Sequence, residues 1–189
     1  MIEIDFKKIE LEDKDLITHY FKHHTSRSCE RTFVNVYLWA RFYHVKFAEV
    51  EHTLVFRTED EDGFSFAYPA GEPENVKKAL DVLMVYSKER GVPFLMYTVT
   101  PDNFEYLEKW YPGRFEIEYV EGDADYVYES EKLATLSGKK LHSKRNHVNK
   151  FKIVYADRWS YEPISEDNLE ECVQTGLKWR NENGCEEDE

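Results

Sequence analysis

A run of positive side chains from Lys132 to Ala156 has the residue types and spacing to bind an anion. This basic segment (residues 132–156) contains no Asp or Glu, but it holds seven Lys or Arg and two His. The whole chain has a formal net charge of −13, so its overall field repels phosphate. The composition therefore excludes general binding to nucleic acid or to membrane surfaces, and any polyanion must be held locally at this segment.

The basic segment is predicted to form a helix from about Lys139 to Lys152, preceded by Gly138. Like charges one helical turn apart repel each other by roughly a few tenths of a kcal/mol, so a counter-anion is expected. Gly138 would free the backbone to approach a ligand, and the helix N-terminus adds partial positive charge. The residues predicted to bind phosphate groups are Lys139, Lys140, Lys144, Arg145 and Lys150.

A second interpretation of the same charges stays open. Lys144 and Arg145 could instead pair with Asp123, Asp125 or Glu129 in the preceding predicted strand. Both interpretations can hold together, because ion pairs around a site can orient the groups that bind the ligand.

Catalytic residues cannot be assigned from spacing. His147 is the one candidate general base, since an imidazole titrates near neutral pH, but no orienting partner is visible. Cys172 lies on a predicted apolar helix stripe, so we expect a buried, inert thiol. No Ser/His/Asp or Cys/His arrangement can be identified.

One histidine-rich stretch has a spacing that could bind a transition metal. His19 and His23 are four residues apart on a predicted helix, and His24 and Cys29 follow. No carboxylate pattern completes a ligand set, so we predict a polar helix face and no metal site.

Hydrophobic periodicity predicts the order β-α-α-β-β-β-α-β-α-β-β up to about residue 129, a mixed sheet flanked by helices. After the basic helix, a further strand is predicted at Lys152 to Tyr155, and Ser165 or Asp167 would cap a last helix with an apolar stripe. The predicted strands lie at residues 2–6, 45–49, 54–56, 64–68, 93–99 (central in the sheet), 115–119 and 126–128. The predicted helices lie around residues 13–21, 32–43, 72–90 and 101–110.

Targeting segments and cysteine content indicate the cellular compartment of the protein. The N-terminus lacks the apolar run of a signal peptide, and no stretch approaches the ~18 apolar residues of a membrane-spanning helix. The three cysteines, Cys29, Cys172 and Cys185, form no CxxC pair, which favours free thiols in a reducing compartment. We therefore expect a cytoplasmic protein, with peripheral contact to a membrane left open.

Two passages resemble one protein family. The element order resembles the acyl-CoA N-acyltransferase (GNAT) fold. The passage SCERTFVNVYLWARFYHVKFAEVEHTLVF resembles the early helices and strands of one particular family with this fold. DADYVYESEKLATLSGKKLHSKRNHVNKF, with DYVY, LSGKK and KRNHVNKF, resembles its most distinctive block. The chain is similar to the phosphatidylglycerol lysyltransferase C-terminal-domain-like family, related to the Fem-type aminoacyltransferases, and to its uncharacterised bacterial members.

The resemblance implies two GNAT-like units in tandem. Residues 1–129 would form the first unit, residues 130–151 a basic connecting helix, and residues 152–189 the start of a second, incomplete unit. The donor would be an aminoacyl-tRNA or an acyl-CoA, and the partner at the basic segment a tRNA or an anionic lipid. In YPAGEPENVKK, one glycine and two acids replace the usual phosphate-binding turn, so we predict that the first unit supports the second and does not bind CoA.

Two functions remain open at this point. The first is an aminoacyl- or acyltransferase that acts on an amine or hydroxyl of a lipid or peptide. The second is a catalytically degenerate GNAT-like module that binds or regulates. The sequence decides neither whether the chain is an enzyme nor its oligomeric state.

Overall fold

The computed structural model describes residues 1–22, 26, 28–61 and 63–184. The chain divides into two compact units, Met1–Tyr126 and Val127–Glu189. The strands are β1 Lys7–Lys8, β2 Lys46–Val50, β3 Thr53–Asp60, β4 Gly63–Ala67 and β5 Met96–Tyr97. The helices are α1 Lys14–Phe21, α2 Phe33–Ala40, α3 Pro73–Glu89, α4 Pro101–Trp110, α5 Ser130–Thr135, α6 His142–Tyr155 and α7 Leu169–Glu182.

The first unit is built on a mixed sheet with the strand order β1-β2-β3-β4-β5. Strands β1 to β4 pair antiparallel, and β5 lies parallel to β4. Glu51 and His52 join β2 to β3 with φ angles of 48° and 57°, as a tight hairpin turn requires. The predicted fold class, a mixed α+β sheet flanked by helices, is therefore confirmed.

Both faces of the sheet are covered, because side chains alternate along β3. Leu54 and Phe56 point into a core that includes Ile17 and Phe21 of α1. Val55 points the opposite way, into a core with Leu83 of α3. Each of these side chains is at most 7% exposed, which accounts for the stability of the central hairpin.

A third cluster joins α3 to α4 and to the end of β4. Tyr68, Val76, Leu80, Leu107 and Tyr111 are all at most 6% exposed there. Tyr111 ends α4, and its hydroxyl lies 2.7 Å from Asp81 Oδ1 and 3.2 Å from the carbonyl oxygen of Lys77 on α3. This contact fixes α4 against the first half of α3.

Two predicted strands at the sheet margins are much shorter than expected. Residues 2–6 alternate in burial, but ladder pairing begins only at Lys7. The strand predicted as central at residues 93–99 is reduced to β5, and it forms the edge of the described sheet. Leu95 is 58% exposed there, so the apolar run that suggested a central position is only half covered.

The last two predicted strands of the first unit are wrong. Residues 115–119 and 126–128 form no ladder. Ile117, Tyr119 and Tyr126 are 65%, 79% and 88% exposed. A strand needs a neighbour to accept its backbone hydrogen bonds, and no described strand lies beside these segments.

The second unit, considered alone, contains helices and turns throughout its described part. The predicted strand at residues 152–155 is wrong, because these residues form the last turn of α6. The last helix begins after Asn168, so Ser165 and Asp167 do not cap it; Asn168 Oδ1 instead accepts a hydrogen bond of 2.8 Å from the Ser165 amide. The apolar stripe of α7 is exposed, with Val173 and Leu177 at 48% and 44%.

We expect Tyr111→Phe to lower the free energy of unfolding by about 1 kcal/mol, the net value of a hydrogen bond to a partly exposed partner. Burial opposes ionisation of Asp81, but the hydrogen bonds from Tyr111 and Lys77 outweigh it and lower the carboxyl pKa below its ordinary 3.8. A group with a lowered folded-state pKa stabilises above its ordinary pKa and loses that contribution as the pH falls. Urea unfolding of the unaltered protein and of Tyr111→Phe at pH 7 and pH 3 measures the difference in their free energy of unfolding, which should be smaller at pH 3. An equal difference at both pH values would contradict this prediction.

Candidate functional site

The basic segment forms a short 3₁₀ turn followed by a regular helix. Residues Lys139–Leu141 make the turn, and α6 continues from His142. Leu136 and Gly138 both have positive φ angles, 49° and 90°, which reverse the chain before the turn. Glycine adopts such angles without strain, so Gly138 permits the reversal that precedes the helix.

Arg145 holds this reversal in place. Its Nη1 atom donates to the carbonyl oxygens of Leu136 and Gly138, the latter at 3.0 Å. The side chain is half-buried, whereas most of α6 is exposed. Arg145 was predicted to bind phosphate. In the structure its guanidinium group donates hydrogen bonds to the backbone of the turn that precedes the neighbouring lysines.

Four lysines of the basic segment, Lys139, Lys140, Lys144 and Lys150, are exposed. Within the described part of that unit, no carboxylate forms an ion pair with Lys139, Lys140, Lys144 or Lys150. Glu129, one of the acids considered as a partner, pairs with Lys132 at 2.8 Å. These ammonium groups keep their full charge available to an external anion.

Of the two other acids that were considered as partners, the structure describes the side chain of one. Asp125 Oδ1 accepts a contact of 3.6 Å from the Cys29 thiol. Burial, and then the nearby Asp125 carboxylate, raises the pKa of that thiol. The side chain of Asp123 lies outside the described residues, so the structure does not test that pairing.

An aromatic row on and after α6 was missed in the sequence. The Phe151 ring lies 4.8 Å from that of Tyr155 and 5.6 Å from that of Trp159, between centroids. The guanidinium of Arg158 sits 5.4 Å from the Tyr155 ring. The three rings are 43–44% exposed, and their spacing of four residues was the signal that could have identified them.

The structure places the candidate general base and the cysteine of α7 on exposed helix faces. His147 is exposed on α6 and makes no hydrogen bond to any described residue. Cys172 is exposed, not buried as predicted, because the stripe of α7 that carries it is uncovered. The free thiols of Cys29 and Cys172 are confirmed, and Cys185 lies outside the described residues.

The histidine-rich stretch is only partly described. His23 and His24 lie outside the described residues, and the His19 ring packs 5.7 Å from that of Tyr20. Among the residues described, no group of three or more His, Cys, Asp or Glu is placed to hold a metal ion. In the same part of the chain, no helix combines the length and apolar character needed to cross a membrane.

The turn between β4 and α3 is closed against the neighbouring hairpin. A Cβ atom on Gly71 would lie 2.8 Å from Thr53 Cγ2 and 3.2 Å from the carbonyl oxygen of His52. Ala70 pairs with Leu54 through two backbone hydrogen bonds of 2.8 and 2.9 Å. The single glycine of this turn therefore serves close packing of the backbone.

The mixed five-stranded sheet of the first unit, flanked by helices, defines the class of the fold as α+β. The sequence pattern described as "Phosphatidylglycerol lysyltransferase, C-terminal" matches residues 21–189. The chain belongs to this family.

Two similar proteins are longer than this chain. It is 33% identical to a conserved protein of unknown function from Bacteroides thetaiotaomicron, whose crystal structure matches with a TM-score of 0.83 over 99% of this chain and 62% of that one. It is also 32% identical, over 80 residues, to an uncharacterized protein of Mycoplasmoides gallisepticum, covering 42% of this chain and 25% of the relative. The chain thus spans less than two thirds of either relative.

We expect Arg145→Ala to loosen the turn before α6, because the carbonyls of Leu136 and Gly138 lose their shared donor. Hydrogen exchange of the amides at residues 136–145 should become faster by about fivefold or more, as a lost hydrogen bond of ~1 kcal/mol implies. Lys144→Ala is the matched control on the same helix and should leave these rates unchanged. Equal rates in both variants would show that Arg145 does not hold the turn.

Proposed function

We propose that the chain is part of a transferase that moves an activated aminoacyl group from an anionic donor to an amine or hydroxyl of a lipid or peptide. Membership in the phosphatidylglycerol lysyltransferase C-terminal family supports the reaction class. In such a transfer, the ester bond between the aminoacyl carbon and the donor oxygen breaks. A new amide or ester bond forms to the acceptor, and the acceptor's proton passes to the departing oxygen.

The observation that carries this proposal is the set of unpaired lysines on α6 and the preceding turn. Lys139, Lys140, Lys144 and Lys150 would contact donor phosphates, while Arg145 keeps the turn in shape. Ammonium groups on flexible stems reach phosphates without requiring one fixed geometry. An aminoacyl-tRNA is the preferred donor, because an RNA offers many phosphates to a row of cations.

The aromatic row favours an RNA over a free phosphate. Exposed rings next to cations are the usual platform for unstacked nucleobases, and each stacked base contributes roughly 1–3 kcal/mol. Phe151, Tyr155 and Trp159 lie just beyond the cations along the chain, so one strand could contact phosphate groups and rings in succession.

We further propose that residues 1–129 form a first GNAT-like unit, residues 130–151 a connecting helix, and residues 152–189 the start of a second unit. The exposed stripe of α7 and the exposed rings of α6 support this division, because apolar helix faces are normally covered. The relative from Bacteroides thetaiotaomicron has more than a third of its chain beyond the part matched here.

One observation favours a second candidate, a catalytically degenerate binding module. His147 lacks an orienting partner among the described residues, whereas a general base is normally held by a hydrogen bond. In that case the basic segment would bind the same anion without transferring a group.

We expect Lys140→Glu/Lys144→Glu to weaken tRNA binding by about tenfold or more, because two phosphate contacts become repulsions. Fluorescence anisotropy with labelled tRNA at fixed salt measures the change. The matched control is Lys14→Glu/Lys78→Glu, which alters the net charge equally through two exposed lysines of the first unit. Equal weakening in both variants would mean that only the overall charge matters, and the site would be rejected.

Turnover separates the two candidate functions. Incubation of the protein, within its natural full-length chain, with radiolabelled lysyl-tRNA and phosphatidylglycerol vesicles should yield labelled lipid. Binding of the tRNA with no labelled lipid or peptide product would favour the binding module.

A further inference from the structure

Helix α2 is apolar on the side that faces away from the core as well as on the side that faces it. Phe33 and Ala40 point inward, and each is only 8% exposed. Val34, Leu38 and Phe42 follow one another at intervals of four residues on the outer side of α2 and of the turn after it, and they are 62%, 65% and 66% exposed. A helix that is apolar all round is normally covered on all sides, so the outer side is expected to have a partner.

Aromatic rings extend this outer side into the turn that follows α2. The Trp39 ring lies 6.1 Å from that of Phe42 and 5.9 Å from that of Tyr43, and the last two rings are 4.9 Å apart, between centroids. Trp39 and Tyr43 are also exposed. The exposed residues Val34, Leu38, Trp39, Phe42 and Tyr43 are called the α2 patch below. Contiguous exposed apolar surface of this kind marks an interaction site.

The segment that carries the α2 patch has positive charge and no negative charge. Asp and Glu make up 38 of the 189 residues, yet residues 32–48 contain neither. Arg41 lies between Leu38 and Phe42 in the sequence and is exposed. In the part of the chain that the structure describes, no carboxylate forms an ion pair with Arg41. Its guanidinium group therefore keeps its charge available to an anionic partner.

This charge argues against a second copy of the chain as the partner. A twofold interface places the same surface of both copies against each other. Two α2 patches would then bring two Arg41 side chains to one interface, and residues 32–48 of neither copy would supply an acid to pair with them. The partner that complements the α2 patch is apolar and carries negative charge.

The side-chain types identify that partner as a lipid surface. Tryptophan and tyrosine are enriched where proteins meet the interface of a bilayer, because their rings have an apolar body and a polar tip. Leucine and phenylalanine supply the apolar area that is buried at such an interface, and a nearby arginine is attracted to anionic lipids. The α2 patch combines all of these groups on one exposed surface.

We propose that the α2 patch docks on the surface of a lipid bilayer that contains anionic lipids. Leu38 and Phe42 would insert among the acyl chains, and Trp39 and Tyr43 would lie at the level of the headgroups. The Arg41 guanidinium would donate hydrogen bonds to lipid phosphate groups. The net charge of −13 does not prevent this local contact, because charges more than about 8 Å away are screened at physiological ionic strength. The α2 patch belongs to the first unit, and its docking depends neither on the proposed transfer nor on the basic segment.

Co-sedimentation of the full chain with vesicles tests the docking. The vesicles contain phosphatidylcholine alone or an equal mixture with phosphatidylserine, so no proposed acceptor lipid is present. We expect binding to the mixed vesicles to be about fivefold tighter, as one basic side chain near an anionic surface implies. Leu38→Ser/Phe42→Ser changes only exposed side chains and should weaken binding to both kinds of vesicle about tenfold or more. The matched control is Tyr119→Ser/Tyr126→Ser, which removes two exposed rings elsewhere in the first unit and should bind as the unaltered chain does.

A charge reversal tests the role of the guanidinium group. Arg41→Glu should weaken binding to the mixed vesicles about fivefold or more and leave binding to phosphatidylcholine vesicles nearly unchanged. Lys78→Glu is the matched control, because it alters the net charge equally at an exposed lysine of α3. Equal weakening in these two variants would show that only the overall charge matters, and the proposed contact of Arg41 would be rejected.

Three results would overturn the proposal as a whole. The first is a lack of vesicle binding by the unaltered chain. Light scattering would then assign the α2 patch to a second copy, if Leu38→Ser/Phe42→Ser converts a dimer to a monomer, or to a protein partner, if the unaltered chain is a monomer. The second is equal binding by Leu38→Ser/Phe42→Ser and its control. The third is binding that Lys140→Glu/Lys144→Glu abolishes and Leu38→Ser/Phe42→Ser retains, which would assign the vesicle contact to the basic segment.

Discussion

The structure depends on a concentration of positive charge that the second unit does not neutralise. Lys139, Lys140, Lys144 and Lys150 repel one another on a single turn and helix, and no described carboxylate of that unit forms an ion pair with them. Such repulsion costs roughly a few tenths of a kcal/mol for each pair one turn apart. An arrangement that is unfavourable for the free chain becomes favourable when a polyanion binds, because counter-ions are released and the repulsion is relieved.

Charged side chains are arranged differently in the two units of this acidic chain. In the first unit the charges near the core are paired or capped, as with Tyr111, Asp81 and Lys77. In the described part of the second unit, Lys139, Lys140, Lys144 and Lys150 form no ion pair.

The sequence predicts well those elements whose residues pack against each other. The helices α1 to α4 and the hairpins of β2 to β4 follow from periodicity, because Leu54 and Val55 alternate and Ala79 and Leu83 share one face. The family was also identified correctly from the two quoted blocks. Elements whose formation depends on a neighbouring strand were predicted incorrectly. Ile153 and Val154 suggested a strand, yet no strand lies beside them in the described part of the unit, and the contact of Phe151 with Tyr155 fits a helix.

The residue types of the candidate site were predicted from the sequence, but their geometry was not. The lysines could be found because acids are missing around them, a one-dimensional signal. The role of Arg145 depends on the positive φ angles of Leu136 and Gly138, which place two carbonyls within its reach.

The central claim is that the cations of the basic segment require an external anion, and hydrogen exchange tests it most directly. The amides of residues 142–155 would be compared in phosphate and in chloride at equal ionic strength and pH, with residues 73–89 as the internal reference. The account predicts that phosphate slows exchange in α6 and leaves α3 unchanged, because an anion bound to the native helix stabilises it. Equal exchange of α6 in the two salts would contradict it.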